Sequence, residues 1–153
     1  MKKYYIRNNI TFVVSILYTA LKQKEYIEIA ELALIVPLLL DEEIVSILND
    51  SEQKFFIETI IATNKIPLAN YNDRYLSLLP QLYTAIAMML DTKAINMRDG
   101  CLVRCKGLYN LNSITKEESN ARIHQICVAT NRLMALIENK DIPRLYNLLK
   151  IEL

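Results

Sequence analysis

The sequence predicts a mainly α-helical domain carrying one β-hairpin, and three observations lead there. Only 2 Gly and 4 Pro punctuate 153 residues, too few for a fold of many short strands. Apolar residues recur three and four positions apart through most of the chain, the period of a helix with a buried face. Around Arg98-Asp99-Gly100 that period gives way to alternation about a turn-forming pair. Hydrophobic residues make up 52% of the chain and charged ones 23%, which excludes a disordered chain and supplies one sizeable core.

The elements follow in order. Ile10, Val13, Val14, Leu17 and Leu21 form one face of a helix over 9–24, with Asn8 or Asn9 as its cap. Residues 27–35 continue the helical pattern until Pro37, where a break is expected because proline has no N–H to give the preceding turn. Asp41 then caps a short helix through Leu48. The run Leu32–Leu40 is apolar enough to belong at the centre of the fold. After the turn Asn49-Asp50-Ser51, a helix over 52–64 buries Phe55, Phe56, Ile60 and Ile61, and Pro67 ends it. Residues 70–91 form a helical block with Tyr75, Leu79, Leu82, Tyr83, Ile86 and Leu90 on one side, kinked or split at Pro80. Ala94–Met97 and Cys101–Cys105 are two strands about Asp99-Gly100, and 106–114 is a loop. The capping box Thr115-Lys116-Glu117-Glu118 opens a long helix to about Glu138. Asp141-Ile142-Pro143 starts a last short helix with Leu145, Leu148 and Leu149 at its apolar edge.

Residues 1–153 therefore read as a single domain: a helical core, a β-hairpin wing at about 94–105, and C-terminal helices over 116–150. Helices followed by a hairpin are the order of a winged-helix unit, with residues 70–105 as its final helix and wing. A helical bundle with an incidental hairpin fits the same pattern.

Charge narrows the partners. Eighteen Lys and Arg against seventeen Asp and Glu leave +1, which excludes a general polyanion binder. Lys93, Arg98, Arg104 and Lys106 cluster about the hairpin as candidate phosphate contacts. Residues 80–91 offer only Gln81 and Thr84 as base-reading groups, which argues against direct readout. Three Cys without a disulfide spacing suit a reducing cytoplasm. Met1-Lys2-Lys3 resembles the start of a secretory signal, but Asn8, Asn9, Thr11 and Ser15 interrupt the apolar stretch. No apolar run is long enough to span a membrane, so a cytoplasmic protein without membrane contact is expected.

Cys101, Cys105, His124 and Cys127 are the residues of zinc-ligand type. On one strand, Cys101 and Cys105 would stand about 13 Å apart, too far for one ion or a disulfide. His124 and Cys127 lie one helical turn apart, and two ligands do not make a site. Asp41-Glu42-Glu43 sits where a helix macrodipole favours carboxylates without any catalysis. One His, no nucleophile elbow and no glycine-rich phosphate loop leave no catalytic, cofactor-binding or metal residue to assign. A non-enzyme is expected, with no cofactor.

Leu, Ile and Tyr are abundant in the first helix, the 32–40 run and the last helix. Nine Tyr, among them Tyr4, Tyr5, Tyr71, Tyr109 and Tyr146 near element ends, suit either an interface or the rim of a large core.

Several stretches resemble, in order, the middle component of bacterial three-component ABC-ATPase systems. They are the early helix Asn8-Asn9 to Ala20, the segment Ala33-Leu34-Ile35-Val36-Pro37-Leu38-Leu39-Leu40, Tyr71-Asn72-Asp73-Arg74 to Leu79-Pro80, Ala85-Ile86 to Leu90, the hairpin Ile95 to Val103, and the ending Leu145-Tyr146-Asn147-Leu148-Leu149-Lys150-Ile151. Lys150 stands where the family usually closes on Gly, Asn8-Asn9 lacks the frequent Asn-Pro, and the late helix has no Trp. The resemblance implies an adaptor subunit linking an SMC/RecN-like ABC ATPase to an effector component in a system acting against invading DNA. DNA would be met, if at all, through the complex. The first and last helices are the expected contact surfaces. The alternative is a free-standing winged-helix DNA-binding regulator using Lys93, Arg98, Arg104 and Lys106.

Overall fold

The computed structural model describes residues 10–52, 56–105 and 120–152. Its elements are α1 (Ile10–Gln23), β1 (Tyr26–Glu28), α2 (Ile29–Leu39), α3 (Glu42–Asn49), α4 (Ile57–Thr63), α5 (Tyr71–Asp91), β2 (Ile95–Arg98), β3 (Cys101–Arg104), α6 (Ala121–Ile137) and α7 (Ile142–Leu148). The described residues are thus mainly helical, with a small antiparallel sheet.

Two helices are apolar on almost every side, and such helices belong inside. α1 buries Phe12, Val13 and every residue from Ser15 to Leu21, while α2 buries every residue from Glu31 to Leu39. α1 packs on α6 and α5, α2 packs on α5, and α3 lies against α6. The buried side chains form one contiguous cluster. Each fully enclosed Ile or Leu, such as Ile16, Leu17 or Leu34, contributes about 1.5–3 kcal/mol by leaving water. Buried hydroxyls turn back on their own helices: Ser15 Oγ donates to the Thr11 carbonyl at 2.8 Å and Thr130 Oγ1 to that of Ile126 at 2.7 Å. The buried Glu31 carboxylate takes a 2.7 Å ion pair from Lys24, whose head reaches solvent. The apolar wealth of the first helix and the 32–40 run therefore serves the core and leaves little surface for partners.

Most expected elements form where the residues place them, and the exceptions have local causes. Residues 27 and 28, expected to be helical, belong to β1, where exposed Tyr26 and Glu28 flank fully buried Ile27 in a period of two. Pro37 does not end α2. The helix runs two residues past it to Leu39, and Leu40 N–H still returns to the Val36 carbonyl at 3.1 Å. Pro80 likewise leaves α5 a single helix from Tyr71 to Asp91, because both Pro80 and Leu76, whose carbonyl it deprives of a donor, face solvent. α4 starts at Ile57, with Phe56 as its exposed cap; Phe55 lies outside the described residues. Asp41 does cap α3, its Oδ1 accepting from the N–H groups of Glu43 and Ile44. The capping box at 115–118 and the Asn8/Asn9 cap lie outside the described residues. α6 starts after extended Asn120, whose side chain accepts from Arg122 and Ile123 N–H. Pro143 stands in the first turn of α7, where its missing N–H is harmless, and Leu145 is buried while Leu148 is exposed.

The hairpin is correct, and it is part of a larger unit. Asp99 and Gly100 both have positive φ, +51° and +78°, as a two-residue type I′ connection requires. β3 then pairs with β1 on its other side, giving the order β1-β3-β2, with all pairs antiparallel. The register aligns Tyr26, Val103 and Asn96 in one row, Ile27, Leu102 and Met97 in the next, and Glu28, Cys101 and Arg98 in a third. Cross-strand neighbours share a face, so Ile27 and Leu102 look into the core while the first and third rows look out.

Candidate functional site

The residues of the third motif, Tyr71-Asn72-Asp73-Arg74, begin α5 and decide how it sits. The buried Tyr71 hydroxyl donates to the Leu34 carbonyl of α2. Arg74 is turned inward: Nη1 pairs with Asp41, the cap of α3, Nη2 donates to the Pro67 carbonyl, and the guanidinium lies 5.7 Å from the Tyr71 ring centre. Asn72 Oδ1 accepts from Glu152 N–H at 2.9 Å, tying the chain's end to the same turn. One turn on, Tyr75 meets Tyr146 of α7 edge to face at 5.8 Å, and the Tyr146 hydroxyl donates to the Ala30 carbonyl at 2.6 Å. Burial, then the Tyr75 hydroxyl, pushes the Tyr146 phenol far above its usual range, and burial does the same for Tyr71. These tyrosines are internal pins. Tyr4, Tyr5 and Tyr109 lie outside the described residues.

With its start fixed this way, α5 buries Tyr75, Leu78, Leu82, Ala85, Ile86 and Met89 against α1 and α2. The opposite face is open. Leu76, Tyr83 and Met88 are 47%, 53% and 48% exposed, and Ser77, Pro80, Thr84 and Ala87 are exposed between them. At 100° per residue all of these, together with exposed Asp73 and Asp91, fall within an arc of about 140°. Asp73 and Asp91 mark its two ends, and no Lys or Arg lies on it. The sequence pattern placed Tyr83 on the buried side; the structure turns the helix so that Leu78, Ala85 and Met89 take the core instead. An apolar helix on both faces hides which face is inward, and only the Tyr71 and Arg74 pins resolve it.

The hairpin cations do not converge. Lys93 follows α5 in a left-handed conformation, φ +57°, and is exposed. Arg98 is exposed on the outward row, whereas Arg104 pairs with Ile95 and so lies on the opposite sheet face, half-buried. Lys106 lies outside the described residues.

The zinc-type residues are scattered too. Cys101 is on β3, Cys105 just beyond it, and Cys127 and His124 border a cleft of about 180 Å³ between α1 and α6 with Tyr18, Thr19 and Lys22. Among the described residues no three of His, Cys, Asp and Glu form a metal-ligand group. Burial raises the Cys127 thiol above its usual range, which lowers its thiolate content and its nucleophilicity. A more polar cleft of about 430 Å³ between α3 and α6 carries Glu42, Asn49, Asp50 and Arg122, with Arg122 at 3.8 Å from Glu42. Among the described residues no helix is long and apolar enough to cross a membrane.

Neither the curated proteins nor the solved structures hold a match to this chain. A family model does match, that of the ABC-three component (ABC-3C) system Middle Component 3, over residues 2–153. With nearly its whole length inside that match, and with a helical fold and hairpin as the resemblance implies, the chain belongs to the Middle Component 3 family of ABC-three component systems.

Proposed function

We propose that this middle component is a non-enzymatic adaptor, joining an SMC/RecN-like ABC ATPase to an effector component in a bacterial defence system in the cytoplasm. The observation that carries the reading is the outer arc of α5. It exposes Leu76, Pro80, Tyr83 and Ala87 within about 60° of one another, with Met88 at the other edge of the arc, and an aligned apolar strip of this kind is what protein partners cover. Burial suppresses the Cys127 thiol in one cleft, and the other, at Arg122, holds mixed charges, which supports a binding role over a chemical one. The function is then transmission: ATP-driven movement changes which contacts the adaptor makes, and the effector responds through the difference in contact free energy.

The architecture also supports a winged-helix reading. A helix, a strand, further helices and a hairpin whose second strand pairs with that first strand follow the order expected of a winged-helix unit, in which α5 would take the place of the recognition helix. A DNA reader would need cations there. α5 instead offers Asp73 and Asp91, with Arg74 turned inward, so the favoured use of this helix is protein contact.

Coexpression of the chain with the ABC ATPase and the third component encoded beside it, followed by affinity purification through the chain, tests the adaptor reading. Stoichiometric recovery of the ATPase is expected. Recovery of the chain alone at micromolar concentration, or turnover of a small molecule by the purified chain, refutes it.

A further inference from the structure

We infer that the outer arc of α5 receives a helix of a partner protein, one with an apolar stripe of about five turns and a basic residue at each end. The inference deepens the adaptor reading by naming the chemistry of what is held, and it rests on that reading for the partner's being a subunit of the same system.

Charge selects the occupant. The arc is uncharged along its middle, with an apolar side and the hydroxyls of Ser77 and Thr84, and acidic at both ends, with Asp73 and Asp91 about 27 Å apart along the axis. A partner helix lying along it matches when its own apolar stripe meets Leu76, Pro80, Tyr83 and Ala87, which share one side of the arc, and when Lys or Arg about 18 residues apart meet the two carboxylates. The match is the same whether the helices run parallel or antiparallel, since both ends are acidic. That symmetry disfavours a second copy of this chain: antiparallel pairing of two α5 helices would set Asp73 against the partner's Asp91 twice over, and parallel pairing would set like residues together. Nucleic acid is disfavoured for the same reason, because its phosphates would approach carboxylates.

The test uses the full chain and two synthetic helices of about 22 residues sharing one leucine stripe. One probe carries Lys and the other Glu at two positions about 18 residues apart. Binding is followed by fluorescence anisotropy for the wild type and for the Asp73→Lys/Asp91→Lys variant. These residues are exposed, so the variant retains its fold, which circular dichroism verifies. The wild type is expected to prefer the basic-ended probe by about tenfold at low salt, and the variant to reverse that preference. The preference should shrink as salt is raised.

Four results overturn the inference: equal affinity for both probes, binding of neither up to about 1 mM, a wild-type dimer that Asp73→Asn/Asp91→Asn tightens, or duplex DNA binding that Tyr83→Glu abolishes. Failure here is separable from failure of the adaptor reading. If the ATPase copurifies while both probes fail, the adaptor stands and this assignment falls. If the basic-ended probe binds while no subunit copurifies, the site stands and the adaptor reading falls.

Discussion

Replacing Arg74 by Met asks how much the lock at the start of α5 contributes. The Arg74 side chain is 9% exposed and that of its partner Asp41 11%, so little water screens the pair. Met keeps much of the aliphatic volume but removes the Asp41 contact, the donor to the Pro67 carbonyl and the charge near the Tyr71 ring. Breaking a buried pair by deleting one member is worth roughly 3–5 kcal/mol. Asp41 is not left bare, because its other oxygen still accepts two N–H groups at the start of α3. The low end, about 3 kcal/mol, is therefore expected. In urea denaturation followed by far-ultraviolet circular dichroism, the midpoint should fall with the slope unchanged. The melting temperature should drop by roughly 6–12 °C for a chain of this size. Asp41→Ala should lose about 1 kcal/mol more than Arg74→Met, since it removes the cap as well as the pair. The double variant should fall short of the sum of the two. A change below about 0.5 kcal/mol for Arg74→Met, typical of an ordinary surface substitution, would refute the lock.

Further outcomes concern other parts of the fold. The folded-state pKa of Tyr146 and of Tyr71 is raised, so their contribution is complete below the phenol's unfolded pKa near 10 and is lost as pH rises beyond it. Tyr146→Phe should flatten the alkaline fall of stability in a pH series of urea titrations while lowering neutral stability by about 1 kcal/mol. Gly100 has φ +78° and an added Cβ would meet nothing within 4 Å, so Gly100→Ala isolates backbone strain and should lose about 1 kcal/mol by thermal denaturation. Tyr83→Glu/Met88→Glu sits on the open arc and should leave the melting temperature within about 2 °C, whereas Ile16→Ala in the core should lose about 2–5 kcal/mol.

What could be read from the residues alone was whatever one segment decides for itself. The three-and-four spacing of α1, the Asp41 cap, the Asp99-Gly100 turn and Pro143 at the start of α7 are local chemistry, and each element formed where its residues put it. β1 was hidden because three residues become a strand only through pairing with β3, some seventy-five positions away. The prolines misled for a related reason. Pro37 and Pro80 each remove a donor, yet α2 runs two residues past Pro37, and the solvent side of α5 tolerates the loss at Pro80. The candidate site was the least legible part. Tyr83 and Met88 look like core residues in any window, and only the inward pins at Tyr71 and Arg74 show that α5 presents them to solvent. The early helix, expected as a contact surface, is buried instead, and the hairpin arginines part to opposite faces once β3 takes its place in the sheet.

Those pins also give physical meaning to the family resemblance. Tyr71, Asn72 and Arg74 hold α5 to α2, to the C-terminal segment and to the start of α3, while Asp73, the remaining residue of the motif, turns outward to one end of the open arc. Fixing the helix and presenting its face are thus done by neighbouring residues of one turn.

Hydroxyl-radical footprinting of the chain, free and assembled with its ABC ATPase and third component, addresses the α5 face most directly. Leu76, Tyr83 and Met88 should react readily in the free chain and be protected several-fold on assembly, with exposed Phe56 and Ile66 as internal references. Equal labelling of Leu76, Tyr83 and Met88 in both states, in a preparation where all three components are shown to be bound, would contradict the account.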